Sequence, residues 1–67
     1  MTHDLSAAEL RAINDLRTAT KRVAGALHRH GYNARAEDLI NAVNDCTAKH
    51  DMVTGQTHKP IPMEVLS

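Results

Sequence analysis

At 67 residues, with no Phe, no Trp and a single Tyr, the chain has material for one domain. Its core must come from Ala, Leu, Ile, Val and Met, and a core of that size supplies no more than about 3–5 kcal/mol unaided. Eight basic residues balance eight acidic ones, which excludes a global polyelectrolyte attraction to nucleic acid or membrane and leaves only local charge to act. The lone Cys46 excludes an internal disulfide; with no signal-peptide pattern at the amino terminus and no apolar run long enough for a membrane span, the expected setting is reducing and cytoplasmic.

Met1 to Asp4 read as a lead-in, and Leu5-Ser6-Ala7-Ala8-Glu9-Leu10 then gives a helix start. Ser6 is the expected N-cap, accepting from the Glu9 amide while Glu9 reaches back to the Ser6 amide and Leu5 touches Leu10 as a hydrophobic staple. Ile13, Leu16, Val23 and Leu27 recur at steps that sum to sevens, with Thr20 in the gap, and predict the buried stripe of this helix. A second row, Leu5, Ala12, Ala19 and Ala26, runs beside it with side chains small enough for a neighbouring helix to approach closely. Gly31 predicts the stop, with His30 the last helical residue and Tyr32 folding back on Leu27 in a Schellman-like turn. His28, Arg29 and His30 suit the negative end of the helix dipole.

Asn33 is the expected N-cap of a second helix, with Glu37 and Asp38 in its early turns. Leu39, Val43, Cys46, His50 and Val53 predict its buried stripe, Ile40 widens it, and Thr54-Gly55 stop it. So short a connection makes the two helices antiparallel neighbours. The expected organisation is therefore a helical hairpin over 1–55, with helices at about 6–30 and 34–53, and an extended tail over 56–67 whose Pro60 and Pro62 favour open backbone. In that tail Ile61, Met63 and Val65 alternate, which predicts partial docking along a groove. Two helices share only one contact line, so the Ala-rich face of the first is left without a partner. Self-association into a four-helix bundle or a higher oligomer is the expected remedy.

Between Asp15 and Glu37 every formal charge is positive: Arg17, Lys21, Arg22, Arg29 and Arg35, beside His28 and His30. Gly25 lies within this run, and a helix-interior Gly costs about 1 kcal/mol relative to Ala. Its neighbours three and four residues away are Lys21, Arg22, His28 and Arg29, which makes it a bare spot among potential cations where an anion or a partner backbone can approach. The candidate ligand-binding set is Lys21, Arg22, Gly25, His28, Arg29, Tyr32 and Arg35, with Tyr32 the one side chain able to stack on a base. The competing reading is a solvated helix face whose charges serve the dipole and pair across the turn.

Cys46 and His50, four apart on one face, have a spacing that suits two ligands of one metal. A small buried thiol beside a boundary histidine explains them as well, and no metal site or cofactor is predicted. No nucleophile elbow, phosphate loop or carboxylate pair supports an enzyme. A helix-turn-helix DNA reader fits poorly, because the first helix is too long, a third is lacking, and Glu37 and Asp38 would face phosphates. In outline the expected hairpin resembles the Rop-like plasmid RNA-binding hairpins, which dimerise as four-helix bundles, and the phage nucleotide-sponge hairpins, which oligomerise around cyclic nucleotides. That likeness is one of architecture and gives no residue a role. The expected function is a small accessory regulator of phage or plasmid type that captures a nucleotide or nucleic-acid phosphate. The alternatives are an inhibitor or adaptor that meets an acidic protein partner or a host protein through its apolar face or tail, and a small helical nucleic-acid-binding regulator.

Overall fold

The computed structural model describes residues 6–67; the expected lead-in and the Leu5 staple fall outside them. Helix α1 runs Ala7–Arg29 and helix α2 runs Asn33–Thr54, packed against each other as a hairpin, and a short 3-10 turn occupies Met63–Leu66. Among the described residues no helix is long and apolar enough to cross a membrane. Ser6 has extended backbone and its hydroxyl accepts from the Glu9 amide at 3.1 Å, so one otherwise unpaired N–H of the first turn is satisfied. The Glu9 carboxylate does not complete a capping box. It meets Nε2 of His50 at 3.0 Å instead, tying the start of α1 to the last turns of α2.

At the hinge the expected Schellman turn is present: the Tyr32 N–H donates to the Leu27 carbonyl at 2.8 Å and the Gly31 N–H to the His28 carbonyl at 3.0 Å. Gly31 takes φ +87°, a left-handed conformation that costs other residues steric energy. Tyr32, not Asn33, occupies the N-cap position of α2, and no side chain caps it. Gly55, at φ +76°, ends α2 with its N–H on the Asp51 carbonyl at 2.8 Å.

The faces that meet coincide with the predicted stripes only in part: Ile13, Thr20, Leu27, Ile40 and Val43 face the core as expected, and other members do not. In α1 the buried residues are Ile13, Thr20 and Ala24, with Leu27 half-buried, while Leu16 and Val23 are 43% and 51% exposed. In α2 they are Ala36, Ile40, Val43 and Thr47, while Cys46 is exposed and Val53 is 63% exposed. Of the unexpected core residues, Ala24 and Thr47 each follow an exposed stripe residue, Val23 and Cys46, by one position, a turn of about 100° around the helix. Ala24 and Ala36, fully buried in one cluster near the hinge, explain the choice of face, because methyl side chains let the two backbones approach closely there. The buried hydroxyls are satisfied within their own helices: Thr20 donates to the Leu16 carbonyl and Thr47 to the Val43 carbonyl, both at 2.7 Å.

The chain after Gly55 folds back along the hairpin and supplies part of the core. Ile61 is buried to 2%, Leu66 is buried and Val65 half-buried against the same cluster, whereas Met63 is exposed. The predicted alternation fails at its end because the 3-10 turn carries Val65 and Leu66 inward as neighbours. Asn44 holds the backbone of Ile61 at both polar groups, accepting from its N–H at 2.8 Å and donating to its carbonyl at 3.1 Å. Burying an Ile side chain is worth about 1.5–3 kcal/mol, and these two bonds let its backbone be buried with it. An Asn44→Ala substitution is expected to cost about 1–3 kcal/mol by leaving those groups unpaired. Native-state hydrogen exchange should show protection lost at the Ile61 amide while the mid-helix amides of α1 and α2 stay protected.

Candidate functional site

Three side chains rising from the helices fix the course of this strap. Arg17 donates through Nη2 to the Lys59 carbonyl at 2.5 Å, Asn44 clasps Ile61, and Asp51 captures His58. The last contact is two-pronged: Asp51 accepts from the His58 backbone N–H at 2.8 Å and from its Nδ1 at 2.7 Å, so Nδ1 carries a proton. Burial pushes the Asp51 carboxyl up, but the two hydrogen bonds and the charges of His58 and His50 outweigh it and hold the group below its ordinary 3.8. Sequence reasoning missed this pair. The signal was the Gly55 stop, which turns the chain so that a residue shortly after it returns to the last turn of the helix.

The strap divides the groove into two clefts. On one side lies a cleft of about 310 Å³ whose wall includes Arg17, Asn44, Thr47, Asp51 and His58. On the other, an open cleft of about 570 Å³ is lined by Arg17, Lys21, Lys59, Pro60, Ile61 and Pro62. Its floor is aliphatic, its rim carries three cations, and no carboxylate is among its lining residues. None of these three cations joins an ion pair among the described residues. Arg17 is half-buried, and its second terminal nitrogen, Nη1, is buried with no hydrogen-bond partner in the protein. A buried N–H of a guanidinium left without a partner favours an acceptor nearby, since an unpaired buried donor is costly.

Of the sequence-predicted set, Lys21 stands in this cleft; Arg22, Arg29, Tyr32 and Arg35 are exposed and Gly25 and His28 half-buried. Gly25 is no bare landing place, because the Arg29 guanidinium lies 3.5 Å from where a Cβ would sit. Arg35 pairs with Asp38 at 3.5 Å within α2. The Tyr32 ring is 60% exposed, about 16 Å along the helix axis from Lys21 at 1.5 Å per residue. The residues that sequence reasoning left out are Arg17, which it counted only as part of the charge run, and Lys59, which the strap brings alongside. Cys46 and His50 form no ligand set: Cys46 is exposed, His50 is engaged by Glu9, and among the described residues no group of three or more His, Cys, Asp or Glu could hold a metal.

Comparison of the chain with protein-family models, with curated proteins and with solved structures returns no match.

The Asp51 clasp makes strap docking pH-dependent. A carboxyl whose folded value is depressed stabilises the docked strap fully above the unfolded value, near pH 4, and that contribution is lost as pH falls through the folded value. The His58 amide resonance should therefore move toward its random-coil position on acidification below about pH 4. In Asp51→Asn the same resonance should show no such transition.

Proposed function

We propose that this chain is a small non-enzymatic binding protein, a cytoplasmic accessory regulator of phage or plasmid type, that captures an anionic ligand on the cationic side of α1. The ligand class is a nucleotide or a nucleic-acid phosphate, and the hairpin works as a self-associated assembly. One observation carries this reading: Arg17, Lys21 and Lys59 converge on one aliphatic-floored cleft with no carboxylate to neutralise them. Phosphate oxygens suit the rim, and the Pro60, Ile61 and Pro62 surface suits the flat, less polar body of a base or sugar. Arg22, His28 and Arg29 extend the positive field toward the hinge, where Arg35 is partly neutralised by Asp38. Tyr32 is too far from the cleft to stack on a mononucleotide held there, so it contributes only to a ligand that spans both places.

Amide NMR titration with mono-, di- and cyclic nucleotides and with short single-stranded oligonucleotides tests the reading. Shifts are expected at Arg17, Lys21, Lys59 and Ile61, and no shift with any of these anions would overturn it. Shifts confined to Arg29, Tyr32 and Arg35 would move the site to the hinge. Lys21→Ala with Lys59→Ala removes two exposed ammonium groups that hold nothing else in place, and should weaken binding at low salt at least ~10-fold, or ~1.4 kcal/mol. For an oligonucleotide contacting three cations, log affinity should fall against log salt with a slope of about 2. A salt-independent affinity would instead favour an apolar protein interface.

A further inference from the structure

The exposed apolar residues are not scattered. In α1, Ala12, Leu16, Ala19 and Val23 follow one another at steps of four, three and four, and all are exposed. In α2, Leu39 is half-buried and Ala42, Cys46 and Val53 are exposed at related spacing. Most of these residues precede a buried position by one residue: Ala12, Ala19 and Val23 stand before Ile13, Thr20 and Ala24, and Leu39, Ala42 and Cys46 before Ile40, Val43 and Thr47, while Leu16 stands before the half-buried Arg17. A step back of one residue rotates about 100° counter to the helix sense. Because α1 and α2 run in opposite directions, the same step back in each turns both rows toward the same broad side of the hairpin.

Residues one step after the core turn to the other side. They include Lys21, which follows Thr20, and Asn44, which follows Val43; Asp51, four residues after Thr47, lies toward the same side. Those are residues that line the strap's clefts or hold the strap. One broad side is thus covered by this chain's own strap, and the opposite side presents two parallel apolar rows that are exposed except at the half-buried Leu39.

We infer that this uncovered side is the contact surface for a second copy of the same chain, with α1 of one protomer antiparallel to α1 of the other. This deepens the self-association in the reading above and specifies its face. The occupant follows from charge and size. Beside the α1 row, on its outer flank, lie Ala8, Asp15, Arg22 and Arg29 at steps of seven. With the rows meshed so that Leu16 packs on Ala19 of the other copy, the antiparallel flank sets Asp15 beside Arg22 and Ala8 beside Arg29, each twice by symmetry, with no like-charged pair. The chain measures 46 × 18 × 15 Å, so a broad side offers close to the ~800 Å² per partner of a stable interface. Packing there builds a four-helix bundle whose two cationic clefts face outward on opposite sides. Each protomer then keeps its own complete site, and binding is one anion per chain without cooperativity.

Sedimentation equilibrium of the full chain across micromolar concentrations is the test, with Leu16→Glu plus Val23→Glu as the disrupting variant. Both side chains are solvent-exposed in the single hairpin, so the variant is expected to keep its far-ultraviolet helical signal and to sediment as a monomer while the parent chain is a dimer. A parent chain that stays monomeric overturns the inference together with self-association. A variant that remains oligomeric overturns this face and leaves self-association standing; anion titration reads the binding function independently of both. Alignment is tested by charge reversal: Asp15→Arg should weaken the dimer at least ~10-fold and Asp15→Arg with Arg22→Asp should restore it, whereas no effect, or no rescue, overturns the antiparallel pairing.

Discussion

The architecture depends on the strap being held in the groove between the helices. Two helices of 23 and 22 residues meet along a single line, which shields little apolar surface. Ile61, driven between them, turns that line into a core with Ala24, Ala36, Ile40 and Val43. A strap without regular secondary structure brings unpaired backbone groups with it, and a buried N–H or C=O without a partner costs about as much as the burial gains. Asn44 removes that cost at Ile61. Pro60 and Pro62 lessen it further, since neither has an N–H to satisfy and both restrict the unfolded strap. The cationic cleft is a consequence of the same docking, because Lys59 and the aliphatic floor belong to the strap while Arg17 and Lys21 belong to α1.

Charge sorting completes the site. The chain is neutral overall, yet its ion pairs are distributed so that carboxylates are engaged away from the cleft: Glu9 with His50, Asp51 with His58, Asp38 with Arg35. Exposed pairs of the Arg35–Asp38 kind contribute about 0–1 kcal/mol, too little to matter for the fold. Of the lysines and arginines only Arg35 has a carboxylate partner among the described residues, so Arg17, Lys21 and Lys59 keep an unneutralised field. Arg17 is the pivotal member. One nitrogen anchors the strap and another is left buried and unpaired, so one side chain contributes both to strap position and to the field at the cleft.

What the sequence made legible was the chemistry that acts locally. The Ser6 cap, the Gly31 reversal and the Gly55 stop each depend on a few adjacent residues, and the helix ends fall within about one residue of their expected places. The buried face was legible only in part: Ile13, Thr20, Ile40 and Val43 were expected in it, whereas Ala24, Ala36 and Thr47 were not, and Leu16, Val23, Cys46 and Val53 lie outside it. Both helices carry two neighbouring apolar rows, one residue apart, and periodicity defines their combined width without saying which row meets the other helix. That choice rests on long-range facts: the close approach allowed by Ala24 and Ala36, and the strap's need for Asn44 and Asp51 on one side. The candidate site was legible to the same degree. Lys21 belonged to a visible run of positive charge, but Lys59 joins it only through a contact that spans most of the chain, and the importance of Arg17 appears only once its hydrogen bonds are known.

The one-residue offset between core and flanking rows also explains how so small a chain holds two surfaces apart. A step forward from the core in either helix leads to the strap side, where the polar residues are; a step back leads to the side with Leu16, Val23 and Val53. Since antiparallel helices share this sense, the two characters largely separate, with Arg35, one step before Ala36, the charged exception on the apolar side near the hinge. Contacts made on the apolar side reach the strap only through Leu39, which packs against the cluster that contains Ile61; no exposed residue of that face hydrogen-bonds Lys59 or Ile61. Changes at Asn44 or Asp51, by contrast, loosen the strap and with it the arrangement of Lys59, leaving the apolar rows in place. The two surfaces can therefore be altered separately, and their separation rests on the direction in which consecutive residues wind around two helices of opposite sense.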